Sequence, residues 1–160
     1  MYLFDTNAFL TPANTYYAFD ICGGYWDWIL EAATAGEVSS IDMVKRELRR
    51  KDDQIRNWID IHASAVFQSE TTSDAKKMKE IAAWAVGGKY TPEAQAEFLS
   101  KADSMLVARA MNCDGTVVTL EISEPRRQNR VKVPDACRAH GVKHITPYEL
   151  LRKKGVRLIK

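Results

Sequence analysis

The chain has 160 residues, 46% of them hydrophobic and 28% charged. That balance excludes extended disorder and fibrous repeats, and the length predicts one domain spanning 1–160 with enough chain to bury a core. The formal net charge is only +2, but it is polarised: residues 1–44 hold six acidic residues and no Lys or Arg, and residues 126–160 hold eleven basic and two acidic ones. The longest apolar run, 81–86, falls well short of the roughly 18 residues of a membrane span, and the first residues carry no leader pattern. Three cysteines, Cys22, Cys113 and Cys137, without C-x-x-C spacing predict a reducing, cytoplasmic setting rather than a disulfide framework or a cysteine zinc site.

Tyr2, Leu3 and Phe4 make a short apolar run ending at Asp5, which predicts a buried strand. Thr11, Pro12, Ala13 and Asn14 predict a turn. Trp26, Ile29, Leu30 and Ala33 recur at helical spacing, predicting a helix over 25–35 with Gly36 as its closing glycine. Residues 37–41 predict a second strand, and Asp42 caps a helix over 43–50. Ile55, Trp58, Ile59 and His62 form the next helical stripe, followed by a strand at 65–67. Met78, Ile81, Ala82 and Ala85 mark a helix ending at Gly87 and Gly88. Thr91 caps a shorter helix opening with Pro92 and reaching Phe98. Ser100 caps another, through Met105, Leu106 and Ala110 to Asn112. After a turn at Asp114 and Gly115, residues 116–120 form the clearest strand. Pro134 opens a short helix ending at Gly141, 143–145 predict a last strand, and Thr146, Pro147 and Glu149 supply cap, proline and capping-box acid for a final helix. Short apolar strands alternating with helices predict an α/β fold with a central parallel sheet, in which ligands bind at the carboxyl ends of the strands.

Two acids stand at such ends. Asp5 follows the first strand and Glu121 the 116–120 strand. Glu47 lies on or beside the face of Met43, Val44 and Leu48, and Asp103 shares a face with Leu106, Val107 and Ala110. Acids are seldom buried without a partner. Four converging carboxylates repel one another unless a hard divalent cation, Mg²⁺ or Mn²⁺, neutralises them. Each also has a plainer reading: Asp5 as a turn or cap residue, Glu47 paired with Arg50 or Lys51, Asp103 in a capping box with Ser100, Glu121 paired with Arg126. Arg126, Arg127, Arg130 and Lys132 either grip phosphate or serve solubility and pairing, and Lys45, Arg46, Arg49, Arg50 and Lys51 read as a solvated helix face. Tyr16, Tyr17, Phe19, Tyr25, Trp26 and Trp28 are core, a base-stacking surface or a partner groove. His62, His140 and His144 lack metal-ligand spacing, the cysteines read as small core residues, and Asp135 reads as a first-turn acid stabilised by its helix dipole.

Asp5-Thr6-Asn7 after the first strand, Val44-Lys45-Arg46-Glu47-Leu48, Lys101-Ala102-Asp103 ahead of Leu106-Val107-Ala108, Val117-Val118-Thr119 with Glu121, then Val133-Pro134-Asp135 and Ile145-Thr146-Pro147 resemble, in order and spacing, the PIN domain from Tyr2 to Leu151. The resemblance implies a three-layer α/β/α sandwich and a metal-dependent ribonuclease. Small PIN proteins of the VapC type are toxins of toxin–antitoxin modules, and the chain looks most like a PIN-like branch that often sits beside an antitoxin-like gene. Catalytic and metal-binding roles follow for Asp5, Glu47, Asp103 and Glu121, with Mg²⁺ or Mn²⁺ as cofactor. Asn7, Thr119, Arg126, Arg127 and Arg130 are the candidate substrate-binding residues. RNA, a cognate antitoxin and a second copy of the chain are the implied partners. The chain departs from the family pattern in carrying Glu121 where Asp is commoner, and in its aromatic segment. A catalytically weak PIN-like module that binds RNA or protein without cleaving is the second reading. A phosphotransfer domain built on Asp5 is disfavoured, because Asn7 stands where its second acid belongs.

Overall fold

Three consecutive apolar residues at the start of the chain form β1 (Tyr2–Phe4), the central strand of a five-stranded parallel sheet. The computed structural model describes residues 1–51 and 53–158. The other strands are β2 (Val38–Ile41), β3 (Phe67–Gln68), β4 (Thr116–Val118) and β5 (Lys143–Ile145), in the order β3-β2-β1-β4-β5. Every pairing is parallel, with Leu3 level with Ser39 on one side and Val117 on the other. The chain steps outward from β1 to β3 and then returns to the other side of β1. The order therefore reverses between β1 and β4, and the crevice beyond their carboxyl ends is the place where such sheets bind ligands.

The helices are α1 (Thr6–Asn14), α2 (Gly23–Thr34), α3 (Asp42–Leu48), α4 (Gln54–Val66), α5 (Thr72–Gly87), α6 (Pro92–Ser100), α7 (Ala102–Cys113), α8 (Val133–Ala139) and α9 (Pro147–Lys153). They flank the sheet as the alternation of elements predicts. Thr91 and Thr146 cap α6 and α9, Glu149 completes a capping box, and Gly36 takes a φ of 74° after α2, a conformation that suits glycine. The core joins Leu3, Phe4, Ile41, Val117 and Val118 of the sheet to Phe9, Ile29, Val44, Ile59, Ile81, Leu106 and Leu150 of the helices.

Five expectations need correction. Residues 11–14 are helical, not a turn: Asp5 caps α1 by accepting from the Ala8 amide at 2.7 Å. Pro12 has no amide to offer Ala8, and the Tyr25 hydroxyl donates to the Ala8 carbonyl at 3.4 Å instead. The strand expected at 65–67 is reduced to Phe67–Gln68, because Asp53 caps α4 and the helix runs through Val66. Asp42 is the first residue of α3 rather than its cap, and its carboxylate turns to Lys45 and Ser69. Ser100 ends α6 and donates to the Glu97 carbonyl instead of capping α7. β4 stops at Val118, where Thr119 turns its hydroxyl toward the Glu121 amide.

The aromatic segment is mostly core. Phe19 stacks on Trp26 at 4.1 Å and Tyr17 on Tyr25 at 4.6 Å, while Tyr16 stays 77% exposed. Only Cys137 of the three cysteines is buried. A buried ion pair that no sequence pattern announces clips α5 to α7. The Arg109 Nε donates to Asp74 at 2.8 Å, and Asp74 also accepts from Asn112 and the Thr71 amide. No helix among the described residues is long and apolar enough to cross a membrane.

Candidate active site

The crevice between the ends of β1 and β4 is built from acids. The Asp5 amide donates to the Val118 carbonyl at 3.0 Å, which locks the residue after β1 against the last residue of β4. Its carboxylate is 1% exposed. Burial lifts the Asp5 carboxyl to about 7, against a lowering hydrogen bond from Thr119, with the charges of Asp103 and Glu121 adding to the rise. Asp103, the second residue of α7, is pushed to about 6 by burial and then by Glu121 and Glu47, while Lys101 and Arg130 pull the other way. Among the described residues, no donor hydrogen-bonds its carboxylate. Both acids are therefore held where a proton or a cation is favoured over a bare charge.

Glu47 and Glu121 play a different part. Glu47 accepts from the Thr6 hydroxyl at 2.5 Å and from the Ala102 amide at 2.9 Å. It joins α3 to the starts of α1 and α7 and satisfies an orphan amide that Ser100 leaves unmet. It pairs with neither Arg50 nor Lys51. Glu121 accepts from Arg130 at 3.1 Å and from the Val133 amide, which opens α8, at 2.8 Å; its partner is Arg130, not Arg126. All four acids thus lie within one electrostatic neighbourhood. Yet among the described residues no three His, Cys, Asp or Glu side chains stand ready around a common metal position, because the oxygens of Glu47 and Glu121 are turned to hydrogen-bond donors. The pair that fits a hard cation is Asp5 with Asp103: Asp5 buried at the cap of α1, Asp103 half-buried with no donor on its carboxylate among the described residues, and both set against other carboxylates.

The remaining candidates divide. Thr119 is buried and hydrogen-bonds in the site, whereas Asn7 is exposed at the start of α1. Arg127 pairs with Glu124 at 3.0 Å, and with Arg126, Glu124 and Pro125 it lines a slot of about 480 Å³. A depression of about 10 Å³ opens beside Asp103, Lys101 and Arg130, room for about one water. Asp135 does more than sit on a helix dipole: it accepts from the Ser123 hydroxyl at 2.5 Å and the Glu124 amide at 2.9 Å, tying the 119–132 loop to α8. Cys137 carries no sequence pattern that marks it as a site residue. Burial, then the charges of Asp5 and Asp103, push its thiol up to about 12, so it forms a neutral wall of the crevice. Its only sequence signal is its place three residues after Pro134.

Fold and site together define an α/β protein with an acidic crevice at the reversal of its strand order. The chain belongs to the family described as Domain of unknown function (DUF4411), whose model matches residues 2–158. Two solved structures share the fold. One is FitAcB from Neisseria gonorrhoeae, 16% identical with a TM-score of 0.55, covering 92% of this chain and 99% of that one. The other is VapBC2 from Rickettsia felis bound to a DNA fragment from their promoter, 16% identical with a TM-score of 0.51, covering 91% of this chain and 97% of that one. No curated protein matches.

Proposed function

We propose that this chain is a PIN-type, metal-dependent ribonuclease that serves as the toxin of a toxin–antitoxin module. The observation that carries the reading is the pair Asp5 and Asp103 at the strand-order reversal, the first buried and lifted to about 7, the second half-buried and lifted to about 6. The shared fold with FitAcB and VapBC2 supports it. Mg²⁺ or Mn²⁺, when bound, would supply water of lowered pKa and positive charge for the scissile phosphate. Asp5 and Asp103 would hold the ion as carboxylates, their protons released to solvent. Glu47 fixes the start of α7, and so the place of Asp103, through the Ala102 amide. Glu121 holds Arg130 over the depression beside Asp103, where its guanidinium meets a phosphate oxygen. Arg126 and Arg127 receive flanking phosphates, and Thr119 fixes the Asp5 carboxylate.

Induced expression of the wild type, with the purified protein assayed on labelled RNA, tests this. Mg²⁺- or Mn²⁺-dependent cleavage and growth arrest are expected, both lost in Asp5→Asn and the arrest relieved by the neighbouring gene's product. Undiminished cleavage by a folded Asp5→Asn protein ends the nuclease reading. The engaged oxygens of Glu47 and Glu121 favour one alternative, a PIN-like module that binds RNA or protein without cleaving. Tight RNA binding with no metal-dependent turnover is its signature.

A further inference from the structure

On the far side of the 119–132 loop lies a cleft of about 360 Å³ that the proposed chemistry does not use. Trp84, Tyr90, Lys89 and Arg138 line it, with Gly88, Pro125, Asp135 and Ala139 completing the wall. That volume is at the small end of ligand sites, and the lining is of the apolar-with-few-polar kind that holds small molecules. Trp84 meets Tyr90, Phe98 and His140 at interplanar angles of 68°, 77° and 81°. None of the three is a parallel stack. Lys89 stands 5.5 Å from the Tyr90 ring centre. Among the described residues, neither Lys89 nor Arg138 forms an ion pair. The one acid in the wall, Asp135, has both oxygens committed to Ser123 and Glu124. The cleft therefore brings two aromatic rings together with two cations that no carboxylate pairs among the described residues.

Its position is set by the same loop that carries Glu121 and Arg130. The Thr91 amide donates to the Gln128 carbonyl at 3.0 Å, which seats the start of α6 on that loop. Pro125 lines both this cleft and the Arg126 and Arg127 slot. Arg130 beside Asp103, Arg126 with Arg127, and Lys89 with Arg138 thus line three hollows that the 119–132 loop borders. Aromatic faces spaced among cations are what single-stranded nucleic acid requires. We infer that the Trp84 cleft is a subsite for one unpaired RNA nucleotide, its base stacked on Trp84 and its phosphate held by Lys89 and Arg138, away from the scissile position. This deepens the ribonuclease reading and rests on it for the choice of RNA.

The test uses the full chain in EDTA with short fluorescein-labelled and unlabelled single-stranded RNA. Trp26, Trp28 and Trp58 belong to the separate aromatic cluster around Tyr25 and Trp26, so comparison with Trp84→Phe assigns a quench to Trp84. RNA is expected to quench wild-type emission, and the quench is expected to vanish in Trp84→Phe, which keeps an aromatic ring and a folded protein. Lys89→Ala with Arg138→Ala, both at exposed positions, is expected to weaken binding about tenfold and to flatten its salt dependence by about 0.7 for each phosphate no longer neutralised. The proposal is overturned by an unchanged quench in Trp84→Phe, by wild-type affinity and salt slope in the double variant, or by failure of the wild type to bind the RNA. Cleavage with Mg²⁺ or Mn²⁺ is scored separately. A cleaving enzyme indifferent to the cleft variants removes the subsite alone. A non-cleaving protein whose quench depends on Trp84 removes the nuclease and leaves the subsite.

Discussion

Cut off from water and set beside another acid, a carboxyl group gains by keeping its proton. Asp5 and Asp103 are in that position, at about 7 and about 6; Asp103 adds to the rise of Asp5, and Glu121 and Glu47 to that of Asp103. Holding these carboxyls away from water beside other acids is a native-state cost of the kind that functional sites carry. Asp103→Asn removes one charge while keeping the shape. Denaturant unfolding at about pH 8 is expected to show the variant more stable by about 1 kcal/mol, with the titration of Asp5, followed by carboxyl NMR, moving down. Metal-dependent RNA cleavage is expected to disappear in the same variant. A destabilised Asp103→Asn would mean that the carboxylate is paired in the native protein after all.

At the level of helices and strands, distant side chains meet helix ends. Glu47 serves α7 across 55 residues of chain, and Glu121 meets the first amide of α8. The Arg109 and Asp74 pair joins α5 to α7 out of water, with Arg109 also donating to the Ser69 carbonyl at 2.6 Å. Arg109→Ala leaves Asp74 buried with its chief charge partner gone, so a loss of about 3–5 kcal/mol is expected in chemical denaturation. A loss below about 1 kcal/mol would show that water reaches Asp74 freely. Such contacts explain what the sequence conveyed and what it withheld. Thr91-Pro92 and Thr146-Pro147 with Glu149 act within one turn, so both helix starts were legible. The strands around β1 and the strand-end acid Asp5 were legible for the same reason, whereas β4 stops at Val118 and leaves Glu121 three residues beyond it. Ser100 and Asp103 have the spacing of a capping box, but Glu47 wins the Ala102 amide through space, and no local pattern reports that. Thr11-Pro12-Ala13-Asn14 has turn composition, yet the Asp5 cap and the Tyr25 hydroxyl carry the helix through it. Glu121 with Arg130, nine residues apart, needed the fold of the loop to be seen.

Across the whole molecule these local charges set how stability follows pH. Asp5 and Asp103 hold protons more tightly folded than unfolded, so the folded state gains on the unfolded as pH falls through about 7 and then about 6. Asp74 works the other way. Burial alone would raise it, but hydrogen bonds from Thr71, Arg109 and Asn112 hold it below the usual carboxylate range. Its contribution is present at neutral pH and is lost as pH falls through that lowered value. In EDTA the melting temperature is therefore expected to rise on acidification from about pH 8, pass a maximum on the acid side of neutrality, and fall once Asp74 and its like are protonated. A divalent ion that binds the folded chain alone stabilises it, by about 2.7 kcal/mol at a hundred times its Kd. It competes with the two site protons, so Mg²⁺ or Mn²⁺ is expected to raise the melting temperature most at high pH and to flatten the slope above Asp103's value. Asp5→Asn removes both the ion's effect and most of the slope, since the buried amide has no proton to exchange. Thermal unfolding across pH, with and without metal, checks all three. If the wild-type curve is indifferent to the metal at every pH, Asp5 and Asp103 do not form a cation site, whatever the RNA assay shows.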